Sequence, residues 1–177
     1  LGINMNFSTE ELLPEWTKKR LPADYAEKIK VEAELSYSDI EGFPVSTVEG
    51  HKGRFIFGYI EGVPVVCMQG RVHYYEGYPI SDVVLPTRLM KMMGAKVLFL
   101  TNASGGINPT FSACDFMIVT DHISTFAPNP LVGANIDELG TRFPDMTTVY
   151  DKELRDLIEE AAAAHAKGQP VLIGTIS

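Results

Sequence analysis

"RFIFGYIEGVPVVCMQGRVHYYEGY", residues 54–78, holds the reading on which the fold turns. Residues 54–60 alternate and are aromatic and β-branched, which fits a strand. "EGVP", 61–64, is a turn, and "VVCMQG", 65–70, is a second strand, so the pair reads as a β-hairpin with antiparallel pairing. Outward from it, strands alternate with helices. "DVVLPTRLMKMMGA", 82–95, has Val84, Leu85, Leu89, Met92 and Met93 at helical spacing. Gly94 stands near its C-terminal stop, and Pro86 is expected in its first turns. "KVLFLTN", 96–102, and "DFMIVTDHI", 115–123, read as strands. "DKELRDLIEEAAAAHAKG", 151–168, is the clearest helix, with Asp151 as N-cap and Gly168 as C-cap. "PVLIGTIS", 170–177, is an apolar final strand. Upstream, Pro14 and Pro22 divide residues 1–33 into short helical pieces. Ser8 and Glu11 have capping-box spacing, and "PADYAEKIKVEAE", 22–34, fits a helix with proline in its first turn. This alternation predicts an α/β fold, a three-layer α/β/α domain, and the hairpin makes its central sheet mixed.

The chain has 177 residues, 45% of them hydrophobic and 21% charged, the composition of one soluble globular domain. Its final strand reads as a cut end, so residues 1–177 are expected to form a single, incomplete domain. A formal net charge of -8 argues against non-specific nucleic-acid binding but leaves a small anionic ligand open. Cys67 and Cys114 stand far apart in apolar contexts and read as reduced core residues, which points to a cytoplasmic setting. No apolar run has the length of a membrane span, and "LGINMNFSTEELLPEW" lacks a signal-peptide core. Residues 124–150 form a long irregular stretch, of the kind that serves a site or an interface.

Three stretches carry candidate chemistry. In "GRVHYYEGYP", 70–79, Arg71 and His73 are two residues apart and point to one side of an extended chain. A guanidinium and an imidazole there suit phosphate. Tyr74, Tyr75 and Tyr78 offer flat surface for a sugar or base. Glu76 is placed to pair with Arg71 or to accept from a hydroxyl. The same residues also fit a surface loop with a local Arg–Glu pair. In "LTNASGGINP", 100–109, glycines after an apolar strand let successive N–H groups converge on an anion. Taken alone, this loop favours a tight connection to the next strand. It matches neither nucleotide-loop pattern. In "TRFPDM", 141–146, Phe143 is either packed under its own loop or offered to a neighbour, and packing under the loop is the default expectation. The four histidines, His51, His73, His122 and His165, make no metal cluster with the cysteines. Asp121–His122 reads as a structural hydrogen-bonded pair. No G-x-S-x-G elbow is present.

"GRVHYYEGY", "LTNASGGINP", "TDHI" and "TRFPDM", in this order, resemble the trimeric purine nucleoside phosphorylases, and "FPVSTVEGHKGRFIFG" is similar to the segment that leads into their first motif. The resemblance runs from about Leu35 to about Lys167 and implies the nucleoside-phosphorylase-like fold. It implies a pentosyltransferase of purine salvage. Phosphate attacks the anomeric carbon of a purine ribonucleoside or deoxyribonucleoside, giving the free base and the pentose 1-phosphate through an oxocarbenium-like transition state. By resemblance, Arg71 and His73 bind phosphate through side chains and Ala103 through its N–H, with His51 near the same anion. Tyr75 is similar to the ribose contact, Gly105 to the glycine beside the base, and Phe143 to the aromatic residue placed over a neighbour's ribose in a homotrimer. The resemblance implies no metal and no organic cofactor, with inorganic phosphate as co-substrate. Two parts of the family pattern differ. "WTKKRLPADYAEKIK" stands where a Gly-Ser-Gly-type loop is expected, and the family's base-binding and base-protonating residues fall after the position of Ser177. Two alternatives stay open: a catalytically impaired homologue that binds phosphate or oligomerises, and a methylthioadenosine phosphorylase.

Overall fold

The computed structural model describes residues 29–47, 52–102, 104–112, 115–166 and 175–176. The Ser8–Glu11 capping box, the start of the 22–34 helix, His51, Ala103, Cys114 and Gly168 lie outside them.

The hairpin forms as the sequence requires. Strands β2 (Arg54–Ile60) and β3 (Val63–Gln69) pair antiparallel from Arg54↔Gln69 to Ile60↔Val63. The turn is two residues long, Glu61 and Gly62, both at positive φ, a conformation whose twist matches the flanking strands. The strand therefore begins two residues earlier than the composition of "EGVP" suggests. Strand β1 (Lys30–Ser36) pairs antiparallel with the other edge of β2, giving the order β1-β2-β3. Residues 30–34 are thus strand and not the expected helix. Their Lys, Glu and Ala content favours a helix only weakly, and pairing with the aromatic β2 outweighs it. The period of two in Lys30-Val31-Glu32-Ala33-Glu34 is the signal that carried the strand.

Alternation along β2 and β3 divides the side chains between two faces. Phe55 and Met68 join Tyr37, Phe43 and Met90 on one face, with Phe57, Val66, Leu85 and Leu89 packed around them. Ile56 and Cys67 pack with Ile29 on the other. Tyr37, Phe43 and Phe55 form a ring cluster with centroids 4.7–5.5 Å apart. The Tyr37 hydroxyl donates to the Gly70 carbonyl at 2.7 Å and its N–H to the Gly53 carbonyl at 2.8 Å. This fixes the point where the chain leaves β3.

Helix α1 (Ile80–Met92) covers the first face through Leu85, Leu89 and Met90. It ends in a Schellman arrangement, Gly94 N–H to Lys91 O and Ala95 N–H to Met90 O, both 3.0 Å. Pro86 lies inside the helix, because the helix starts at Ile80 rather than near Asp82. Strand β4 is short (Phe99–Leu100) and pairs antiparallel with β5 (Thr175–Ile176). Helix α2 (Lys152–Ala166) is capped as expected, with the Leu154 N–H on Asp151 Oδ1 at 3.0 Å. Residues 115–123 form no strand ladder among the described residues, and Phe116 and Met117 are exposed. Apolar content suggests a strand, but only a neighbouring strand makes one. The fold is α/β; among the described residues the strands form two sheets, β1-β2-β3 and β4-β5, and every pairing is antiparallel.

Gly58 marks the closest approach of β1 and β2. A Cβ there would lie 2.3 Å from the Lys30 carbonyl oxygen and 2.7 Å from Ile29 Cγ2. Gly58→Ala is expected to destabilise the protein by about 1–3 kcal/mol, the usual cost of overpacking. The measurement is the urea unfolding midpoint, and an unchanged midpoint would mean that the two strands part freely.

Candidate functional site

The site is built where β3 ends. After Gln69 the chain bends at Gly70, which has a positive φ, runs on through Arg71 and Val72 to an extended His73, and then makes a 3-10 turn, Tyr74–Glu76. Val72 is buried, while Arg71 and His73 are each half-buried. Both line a cleft of about 400 Å³ with Tyr75, Asn102, His122 and Tyr150. That is the size range of a small-molecule site. Burial lowers the pKa of the Arg71 guanidinium and neighbouring Tyr75 opposes that shift, but a guanidinium so placed keeps its charge.

Glu76 organises this wall. Its Oε1 accepts from the His73 N–H and faces His73 Nδ1, each at 2.7 Å. Its Oε2 accepts from the Thr47 N–H at 2.7 Å, the Thr47 hydroxyl at 2.9 Å and the Ser46 hydroxyl at 3.1 Å. Burial would raise the pKa of this carboxyl, whose side chain is only 2% exposed, but the donors of Thr47 and His73 overcome that and hold it at about 2. An ionised carboxylate only accepts, so Nδ1 of His73 carries a proton. Nε2 is then the ring nitrogen that meets a ligand. The Tyr75 ring stacks on the imidazole, with centroids 4.8 Å apart and planes 13° apart. The pairing of Glu76 is with His73 and two hydroxyls, not with Arg71.

The opposite wall was less legible. His122 Nε2 is hydrogen-bonded to the Tyr150 hydroxyl, and the two rings lie 5.3 Å apart. Burial, then the nearby Asp121 carboxylate, raise the Tyr150 pKa. The Asp121 carboxylate also accepts the His122 N–H at 2.8 Å, as the sequence suggested, yet the imidazole reaches beyond it into the cleft. Tyr150 carries no motif; its one sequence signal is its place just before the helix cap Asp151.

Of the sequence-derived site residues, the structure brings together Arg71, His73 and Tyr75. Asn102, next to Ala103, lines the same cleft. Gly105 is exposed, does not line the cleft, and has nothing within 4 Å of where its Cβ would be. Phe143 is 84% exposed and lies in a separate groove with Leu131, Val132 and Met146. It is therefore not packed under its own loop; the Arg142 guanidinium sits 5.9 Å from its ring.

The cleft at this strand end, lined by Arg71, His73, Tyr75, His122 and Tyr150, has the position and size of a small-molecule site in an α/β fold. The chain belongs to the Phosphorylase superfamily, whose sequence pattern matches residues 21–177. Purine nucleoside phosphorylase 1 of Bacillus subtilis (strain 168) is 51% identical over 137 residues, covering 77% of this chain and 51% of that protein. The crystal structure of Schistosoma purine nucleoside phosphorylase in complex with hypoxanthine matches with a TM-score of 0.70 and 40% identity, covering 85% of this chain and 53% of that one. That of isoform 2 from Schistosoma mansoni, in complex with cytosine and ribose-1-phosphate, has a TM-score of 0.70 and 39% identity, covering 79% and 50%. The chain spans about half the length of the curated relatives it matches. The nucleoside-phosphorylase fold expected from the sequence is thereby shown.

Glu76 also sets a pH dependence. A carboxyl whose folded pKa is lowered to about 2 from 4.5 stabilises the fold fully above the ordinary value and loses that contribution as pH falls toward the lowered one. Wild type is expected to melt above Glu76→Gln at about pH 6, with the gap shrinking toward about pH 2. A gap that stays constant across this window would show that the Glu76 charge does not support the fold.

Proposed function

We propose that this chain carries the phosphate- and pentose-binding part of a purine nucleoside phosphorylase. The observation that supports this most is the single wall on which Arg71, His73 and Tyr75 meet, ordered by Glu76 and facing Asn102 across one cleft. In this reading Arg71 offers two parallel donors to phosphate oxygens, and His73 Nε2, with the proton on Nδ1, accepts from a P–OH group of the phosphate. Ala103 adds a backbone N–H from the loop that Asn102 begins, and His51 approaches the same anion. Tyr75 lies against the pentose and Gly105 beside the base.

Held in this way, a phosphate oxygen attacks the anomeric carbon of a purine nucleoside. The C–N glycosidic bond breaks, and the base leaves with the bonding electron pair and takes up a proton. The product is the pentose 1-phosphate. The cleft supplies positioning and cationic groups for the nucleophile, the contributions that matter most when little covalent chemistry falls to the protein. Inorganic phosphate is the co-substrate, and the chemistry requires no metal or organic cofactor.

The exposed Phe143, with Arg142 against it, fits a residue offered to the ribose of a neighbouring subunit in a homotrimer. In this reading residues 1–177 belong to one nucleoside phosphorylase domain that works in the cytoplasm.

Calorimetric titration with inorganic phosphate tests the anion site. Arg71→Ala is expected to weaken binding at least about tenfold, since a charged hydrogen-bond donor is lost from a partly buried wall. Equal affinity in wild type and variant would overturn the assignment.

A further inference from the structure

The cleft has a second polar wall that the phosphate-binding residues do not use. Tyr150 is 5% exposed, whereas His122 stands at the rim. Their hydrogen bond joins two stretches of chain 28 residues apart. Tyr150 is held from behind, because the next residue, Asp151, caps α2 and accepts the Leu154 N–H. Val119 and His122 come from a stretch with no strand ladder among the described residues, so the Tyr150 hydroxyl gives it a fixed point at the cleft. Asp121, beside it, is engaged by the His122 N–H. The bond holds the His122 ring by Nε2, which leaves Nδ1 as the second ring nitrogen for a ligand in the cleft.

We propose that Tyr150 is a positioning residue and His122 the group it positions, forming the wall that meets the sugar hydroxyls of a pentose 1-phosphate. This rests on the reading of the Arg71–His73 wall as the phosphate site. The two walls have separable tasks. Inorganic phosphate reaches only the Arg71–His73 side. A pentose 1-phosphate seated there extends across the cleft, and its hydroxyls meet the His122 imidazole. An imidazole anchored at Nε2 presents its other ring nitrogen in one direction, while an unanchored one samples orientations and loses that preorganisation.

The test is calorimetric titration of ribose 1-phosphate and of inorganic phosphate, separately, into wild type, Tyr150→Phe, His122→Ala, His122→Asn and Arg71→Ala. Tyr150→Phe keeps the ring and its packing and removes only the hydroxyl. It is expected to weaken ribose 1-phosphate about fivefold, the effect of one neutral hydrogen bond, and to change phosphate by less than about twofold. His122→Ala is expected to do the same. His122→Asn, which keeps an acceptor for Tyr150 and a donor for the sugar, is expected to recover part of the loss. Arg71→Ala weakens both ligands. Tyr150→Phe or His122→Ala binding both ligands like wild type would overturn the proposal, and so would equal weakening of both, the mark of a merely structural role. Wild type binding neither ligand would overturn the phosphate-site reading and this inference with it. Because His122 lies at the rim, its variants keep the test decisive if Tyr150→Phe lowers the melting temperature.

Discussion

The carboxylate of Glu76 is the constraint that the rest of the site depends on. A nearly buried carboxylate is costly to hold unless donors surround it, and here the Thr47 and His73 N–H groups, two hydroxyls and an imidazole do so. Each partner is fixed by something else. Residues 43–47 are held by the packing of Phe43 and by the bond of Tyr78 to the Val45 carbonyl. His73 is delivered by β3, whose exit is pinned by Tyr37 on Gly70. The carboxylate therefore couples the register of the sheet to the orientation of one imidazole. Its effect on that ring is chemical as well as geometric, since it places a proton on Nδ1.

The cleft forms because two kinds of order meet at the ends of β3 and β4. The sheet and α1 provide a rigid wall, with Arg71, His73 and Tyr75 in a fixed sequence of directions. The irregular part of the chain provides the other wall, held by side chains instead of a backbone ladder. That division matches the tasks of a group-transfer site, where the nucleophile needs a fixed seat and the second substrate needs access.

Much of this was legible from residues alone. The hairpin, α1, the Asp151 cap and the joint placement of Arg71, His73 and Tyr75 follow from local period, turn chemistry and capping, which act over a few residues. The misreadings have long-range causes. Residues 30–34 are rich in helix formers, and only the partner strand β2 makes them extended. Residues 115–123 carry strand composition with no ladder among the described residues. The His122–Tyr150 contact spans 28 residues and leaves no spacing to read. Phe143, expected by default under its own loop, is instead exposed, and its role beside a neighbouring subunit is carried by resemblance and not by any local pattern.

The central claim is that Glu76 sets His73 to present Nε2 to a phosphate held with Arg71. Nitrogen-15 NMR of the histidine side chains tests it most directly, recorded with and without inorganic phosphate. The expected result is a His73 Nδ1 that is protonated throughout and an Nε2 resonance that moves as phosphate is added. A His73 ring protonated on Nε2 alone, or one whose resonances ignore saturating phosphate, would contradict it.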